Sequence, residues 1–169
     1  MNKSPLKIFI FLLSFAALIS CNNDRESEQQ NNYFTVDGGA PNVIENATAS
    51  FSVEFSPQGD RNVASFVFTS FDRQNATGPS KTVQLGIDFP VSESINGTYS
   101  LNSRTRRIRD YSTWYTYFNG QNGVGEGNPS EATVTVTKNS GSSYNVIFSY
   151  KTETNKRITG QYNGNVIIQ

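Results

Sequence analysis

From Tyr33 onward, apolar and polar residues alternate with a period of two. Phe51, Val53 and Phe55 alternate with Ser52 and Glu54, and Val83, Leu85, Ile87 and Phe89 alternate with Gln84, Gly86 and Asp88. Val134 and Val136 sit among Thr133, Thr135 and Thr137, and Tyr144, Val146, Phe148 and Tyr150 repeat the pattern. Successive side chains of a strand point to opposite faces, so each run predicts a half-buried strand with one face toward a core. Val63 to Phe71 is apolar on both faces and predicts a central strand. Turn-forming clusters separate the runs: Ser56-Pro57-Gln58-Gly59-Asp60, Asn75-Ala76-Thr77-Gly78-Pro79, Asn96-Gly97 and Asn139-Ser140-Gly141-Ser142. The last joins Glu131–Lys138 to Ser143–Lys151 as a hairpin. No stretch carries a helical stripe with caps. The pattern predicts an all-β domain over 33–169, a single antiparallel β-sandwich or partly closed barrel of about eight to ten strands.

The first 32 residues follow other rules. Lys3 and Lys7 precede an uncharged, mostly apolar run from Ile8 to Ile19. Its length suits the core of an export signal and is short of the roughly 20 residues of a spanning helix. Leu18-Ile19-Ser20-Cys21 closes the run and resembles the bacterial lipobox. The resemblance implies cleavage before Cys21, a diacylglyceryl group on its sulfur and an acyl chain on its amine. Several chains anchor stably where one binds marginally, at about 0.8 kcal/mol per buried CH₂. Residues 1–20 are thus expected to be a lipoprotein signal peptide. Residues 21–32 are expected to be a lipidated, disordered tether, since Asn22–Asn32 (NNDRESEQQNN) holds nothing apolar to bury. Asn22 after the cysteine resembles lipoproteins sorted to the outer membrane. Asp24, Glu26 and Glu28 resemble the surface-export tag of Bacteroidota lipoproteins.

A second resemblance lies near the other end. From Ala132 the sequence runs ATVTVTKNSGSSYNVIFSYKTETNKRITGQYNGNV. It is similar to the closing hairpin of small, uncharacterised Bacteroidota lipoproteins, a VTVT-turn-Tyr-x-Val-x-Phe pair followed by Ile158, Gly160, Tyr162, Gly164 and Val166. Gly97-Thr98-Tyr99 and the opening Tyr33-Phe34-Thr35-Val36-Asp37-Gly38 fit the same group. The resemblance implies a β-sandwich-like fold and a place in the cell envelope, at the outer membrane and exposed at the surface. It implies no activity.

Charge and composition narrow the chemistry. The chain has 14 basic and 14 acidic residues; without Lys3 and Lys7 the balance is 12 to 14, a net charge of −2. That is no basic footprint for nucleic acid. Histidine is absent and Cys21 is the one cysteine, so disulfides, His- or Cys-based triads and His- or Cys-ligated metals are excluded. Ser-x-x-Lys occurs only as Ser4 to Lys7, inside the leader. The Gly-rich stretch Asn119–Ser130 lacks a strand-to-helix setting for a phosphate cradle and reads as a flexible connection. Glycosidase chemistry needs two carboxylates about 5–10 Å apart; Asp88, Glu93, Glu126 and Glu131 are the candidates, and nothing in the sequence pairs them. The expectation is a protein that is not an enzyme and uses no cofactor and no metal.

One region exceeds what a half-buried strand needs. Arg104, Arg106, Arg107 and Arg109 precede Tyr111-Ser112-Thr113-Trp114-Tyr115-Thr116-Tyr117-Phe118, with five aromatics in eight residues. On a strand, Trp114 and Phe118 share one face and Tyr111, Tyr115 and Tyr117 the other. Tyrosine is the natural exposed choice, with a ring to stack and a hydroxyl to hydrogen-bond. A platform of Tyr115 and Tyr117 beside Arg107 and Arg109 would suit a sugar ring, above all an acidic one met by guanidinium. Three functions follow. The first is a lipid-anchored binding module for polysaccharide. The second is an accessory subunit docked on another envelope protein by strand pairing along Asn165–Gln169. The third is a carrier of a small apolar ligand.

Overall fold

The structure is a computed structural model that describes residues 32–169 except 58, 72–77 and 120–121. The expected leader, the expected lipidation site Cys21 and the expected tether before Asn32 lie outside the described residues, as does most of the Asn75–Pro79 turn cluster. The strands are β1 (Tyr33–Val36), β2 (Asn42–Val43), β3 (Asn46–Glu54), β4 (Arg61–Phe71), β5 (Ser80–Pro90), β6 (Gly97–Ser100) and β7 (Arg107–Ile108). They continue with β8 (Trp114–Asn119), β9 (Asn122–Glu126), β10 (Glu131–Ser140), β11 (Ser143–Lys151), β12 (Arg157–Asn165) and β13 (Ile167–Ile168). A single 3₁₀ turn, Asp110–Ser112, separates β7 from β8.

All thirteen join one sheet in the order β13-β3-β4-β5-β7-β6-β10-β11-β12-β1-β2, with β8 on β5 and β9 on β8. The sheet curls into a half-barrel. The all-β, partly closed architecture is the one the alternation predicts. Ten strands have four residues or more; β2, β7 and β13 have two each. The pairing is antiparallel except at two short contacts, β13 on β3 and β6 on β7, which make the sheet mixed.

The curl follows from where the bulk lies. β4 and β5 pair along their whole length, Arg61↔Pro90 to Phe71↔Ser80. Their inward residues Ala64, Phe66, Phe68, Val83, Leu85 and Ile87 are all fully buried. β10, β11 and β12 face them with Val134, Val136, Val146, Phe148, Tyr150 and Ile158. The rings meet across the gap: Phe68 stacks on Phe148 at 5.7 Å and lies 5.2 Å from Tyr162, and Phe66 meets Tyr144 edge-on at 5.4 Å. Burying each such side chain is worth about 1.5–3 kcal/mol. The whole apolar core lies between Phe34 and Val166, within the compact unit Asn31–Gln169.

One edge of β5 carries two successive partners. β7 pairs with Ile87 and Asp88, and β8 with Ser80 to Gln84. Between them the 3₁₀ turn crosses Gly86, whose carbonyl accepts from Arg109 N at 2.8 Å while its N–H donates to Thr113 Oγ1 at 3.2 Å. Any Cβ at Gly86 would collide with Ser112, so glycine is what lets the turn pass.

Candidate functional site

The aromatic strand is present as β8, with its faces inverted from expectation. Tyr115 is 5% exposed and Tyr117 half-buried, whereas Trp114 and Phe118 are 45% and 46% exposed. The neighbouring strand decides it. Tyr115 lies opposite Val83, which points into the core, and Trp114 lies opposite Gln84, which points out. Tyr111 is not on the strand at all. It sits in the 3₁₀ turn, 65% exposed.

β9 explains why the outward face stays open. Expected as a flexible connection, the Gly-rich stretch instead contains a strand paired with β8, with Gly125 opposite Thr116 and Gly123 opposite Phe118. A Cβ at Gly123 would strike the Phe118 ring, and nothing stands over Gly125. Trp114, Thr116 and Phe118 therefore line a shallow cavity of about 390 Å³ with Thr82 and Gln84 on one side and the two glycines on the other. The aromatics lie four residues apart, about 13 Å along the strand, with a hydroxyl between them.

The inward face builds a different site. Tyr115, Tyr117, Val124 and Glu126 line a cavity of about 390 Å³ with Lys81, Val36 and Lys156 at one end of the half-barrel. Glu126 is buried, yet Thr152 Oγ1 donates to it at 2.9 Å, and Thr154 and Lys156 also bond it. Burial pushes its carboxyl up; the bonds from Lys156, Thr154 and Thr152 and the Lys156 charge outweigh this and hold it below the usual value. Lys81 Nζ donates to Asn42 Oδ1 at 2.6 Å. Burial, then the Glu126 charge, raises the Tyr115 phenol to about 12. Tyr150 Oη is buried without a hydrogen-bond partner among the described residues, and burial holds that phenol well above its usual value. Of these residues, Glu126 was legible as a carboxylate candidate; Lys81 and Lys156 had no sequence signal, since their partners come from distant strands.

The arginines belong elsewhere. Asp88, 1% exposed, accepts from Arg61 Nε at 2.7 Å and from Arg107 Nη2 at 2.8 Å. Arg109, itself buried, pairs with Glu54 at 2.7 Å and lies 4.6 Å over the Tyr111 ring. Arg106 pairs with Glu93 at 2.8 Å. Arg107, Arg109 and Tyr111 line an outward groove, and neither arginine reaches the cavity of Tyr115 and Tyr117. The expected tyrosine–arginine platform is thus split in two, because the 3₁₀ turn carries the chain out of the strand between Arg109 and Trp114.

Each of the four candidate carboxylates has a cation: Asp88 with Arg61 and Arg107, Glu93 with Arg106, Glu126 with Lys156, and Glu131 with Arg157 at 3.1 Å. For Glu126 these bonds favour the ionised form, the opposite of what a general acid needs. Among the described residues, no three acidic or other ligating side chains cluster to hold a metal. No family model matches the chain, and neither a curated protein nor a solved structure matches it.

Proposed function

We propose that this chain is a non-catalytic binding module of the cell envelope, anchored to the outer membrane by lipid on Cys21, and that it holds a glycan on the outward face of β8. The observation that carries the reading is the exposure of Trp114 and Phe118, nearly half of each, over the glycines of β9. Exposed aromatics on one side of a strand have flat apolar faces for the C–H side of a sugar ring. Thr116, Thr82 and Gln84 supply hydroxyl and amide groups between and beside them, so each ring has a hydrogen-bonding neighbour. Among the described residues the cavity's lining carries no charge, which favours neutral sugars over acidic ones. The membrane location rests on the leader, the lipobox-like step and the resemblance to Bacteroidota lipoproteins.

Affinity electrophoresis of residues 31–169 through neutral and acidic polysaccharides tests this. Retardation by a neutral glycan, lost in Trp114→Ala/Phe118→Ala and kept in Tyr115→Phe/Tyr117→Phe, is the expected result. Retardation that survives the first double variant would move the site elsewhere; none with any glycan would end the reading. A second reading, an accessory subunit, draws on β13. It is a terminal strand of the sheet and carries Ile167 and Ile168 at 62% and 51% exposure. Crosslinking in membranes that captures one envelope protein, lost in Ile167→Lys, would favour it.

A further inference from the structure

The end of the half-barrel opposite Glu126 is open, and its opening is apolar. Lys81 and Phe89 mark the two ends on the inner face of β5, eight residues or about 26 Å apart. Along β3 the inward residues go from covered to bare: Ala47 and Ala49 are buried, then Phe51 and Val53 are 42% and 46% exposed. β13 covers only Thr48 and Ala49. Among the described residues no strand pairs with that edge of β3 beyond them.

What the bare stretch borders is a groove of about 440 Å³, within the range that holds small ligands. Its floor is made of core side chains, Phe89, Ile95 and Tyr144, each 9% exposed or less. Phe51, stacked on Tyr144 at 6.1 Å, and Ile168 form the walls. Among the described residues, Lys138 is the one charged residue in the lining. Its ammonium stands 5.8 Å from the Tyr144 ring centroid and makes no ion pair among the described residues. The other cationic groups just described are bonded to an acid or, for Lys81, to an amide. This one is left at the rim of an apolar groove. Because the centre of the half-barrel is filled by Phe34, Phe66 and Phe68, the groove is a blind one.

We infer that this groove binds a free fatty acid, with the acyl chain against Phe89, Ile95 and Phe51 and the carboxylate at Lys138. The unbranched chain fits a groove floored by Phe89, Ile95 and the Tyr144 ring, with Asn62, Ser52 and Ser142 also in its lining, and the ammonium at its rim selects an anionic head. The inference is independent of the glycan reading, since none of its residues lies on the outward face of β8.

The test is calorimetric titration of residues 31–169 with octanoate, decanoate and dodecanoate below their micelle concentrations, beside methyl dodecanoate. Affinity should rise about fourfold per added methylene, the equivalent of about 0.8 kcal/mol, until the groove is full. The carboxylate should bind about fivefold tighter than its methyl ester. Lys138→Ala should erase that difference, and Ile168→Glu should weaken every ligand about tenfold with an unchanged thermal melt. Trp114→Ala/Phe118→Ala should bind dodecanoate as the native chain does, so that failure of one site leaves the other standing. Affinity that ignores chain length, or native binding by Ile168→Glu, would overturn the inference. So would absence of binding by a chain that sediments as a dimer and is made monomeric by Ile168→Glu, which would make the groove an interface between copies.

Discussion

The two ends of the half-barrel are built from the same inner face and finished in opposite ways. At one, Tyr115, Lys81 and Glu126 bring polar atoms inward, and the turn after β11 closes over them with Thr152, Thr154 and Lys156. At the other, Phe51, Phe89, Ile95 and Tyr144 line the groove, and Phe51 and Val53 stay well exposed. The difference shows what each kind of surface demands. A buried carboxylate must be bonded on the spot, because leaving it unpaired costs several kcal/mol. Apolar surface left to water forgoes only about 25 cal/mol per Å². The polar end therefore bonds its buried charge on the spot, and the apolar end can leave side chains in water at modest cost.

Substitutions can break that contrast, and the polar end should suffer most. Lys156→Met strands Glu126 among the two threonines and should cost about 2–3 kcal/mol, below the usual figure for a broken buried pair because Lys156 is 41% exposed. Urea melts at pH 7 would show it. At the apolar end, Phe51→Ala should cost about 1–2 kcal/mol, less than a core phenylalanine, since much of the ring already meets water. If Phe51→Ala proves the costlier, the open end is the true structural keystone and the contrast fails.

Of the two ends, acid should act on the polar one. The folded state lowers the Glu126 carboxyl, so its contribution is in place above the ordinary carboxylate value of about 4.5 and is lost as pH falls through the depressed one. Glu126→Gln should flatten the decline in stability between pH 5 and pH 2, read from melts across that range. The smallest effect belongs to Lys138→Ala: a change within about 0.5 kcal/mol, with any loss confined to ligand binding.

Much of this architecture can be read along the chain, and the rest depends on neighbours. β3, β4, β5, β10 and β11 announce themselves because a strand with one face in the core must alternate, and β4 because both its faces are partly covered. β9 does not, because glycine reads as flexibility until a ring lies across Gly123. The aromatics of β8 were visible, but the side that turns inward was not. That choice is made by Val83 and Gln84, some thirty residues earlier, through register. The break at Asp110–Ser112 is hidden for the same reason, since its cause is the missing side chain at Gly86. Glu126 stood out only as one acid among fourteen; its partners lie 26 to 30 residues away and are joined by folding alone.

The first strand has a consequence for how the domain is made. β1 hydrogen-bonds to β12, with Thr35 and Thr159 in side-chain contact across 124 residues of chain. Phe34, fully buried, sits where only a glycine, Gly160, leaves room for it. Such distant pairing gives a high contact order and slow folding. A chain emerging from its N-terminus can pair β1 with β2 early but must leave the edge that meets β12 open until almost everything else has appeared, so the barrel wall is completed late. Delay in that one step leaves an apolar strand edge bare, and chaperones or early aggregation would meet the protein there first.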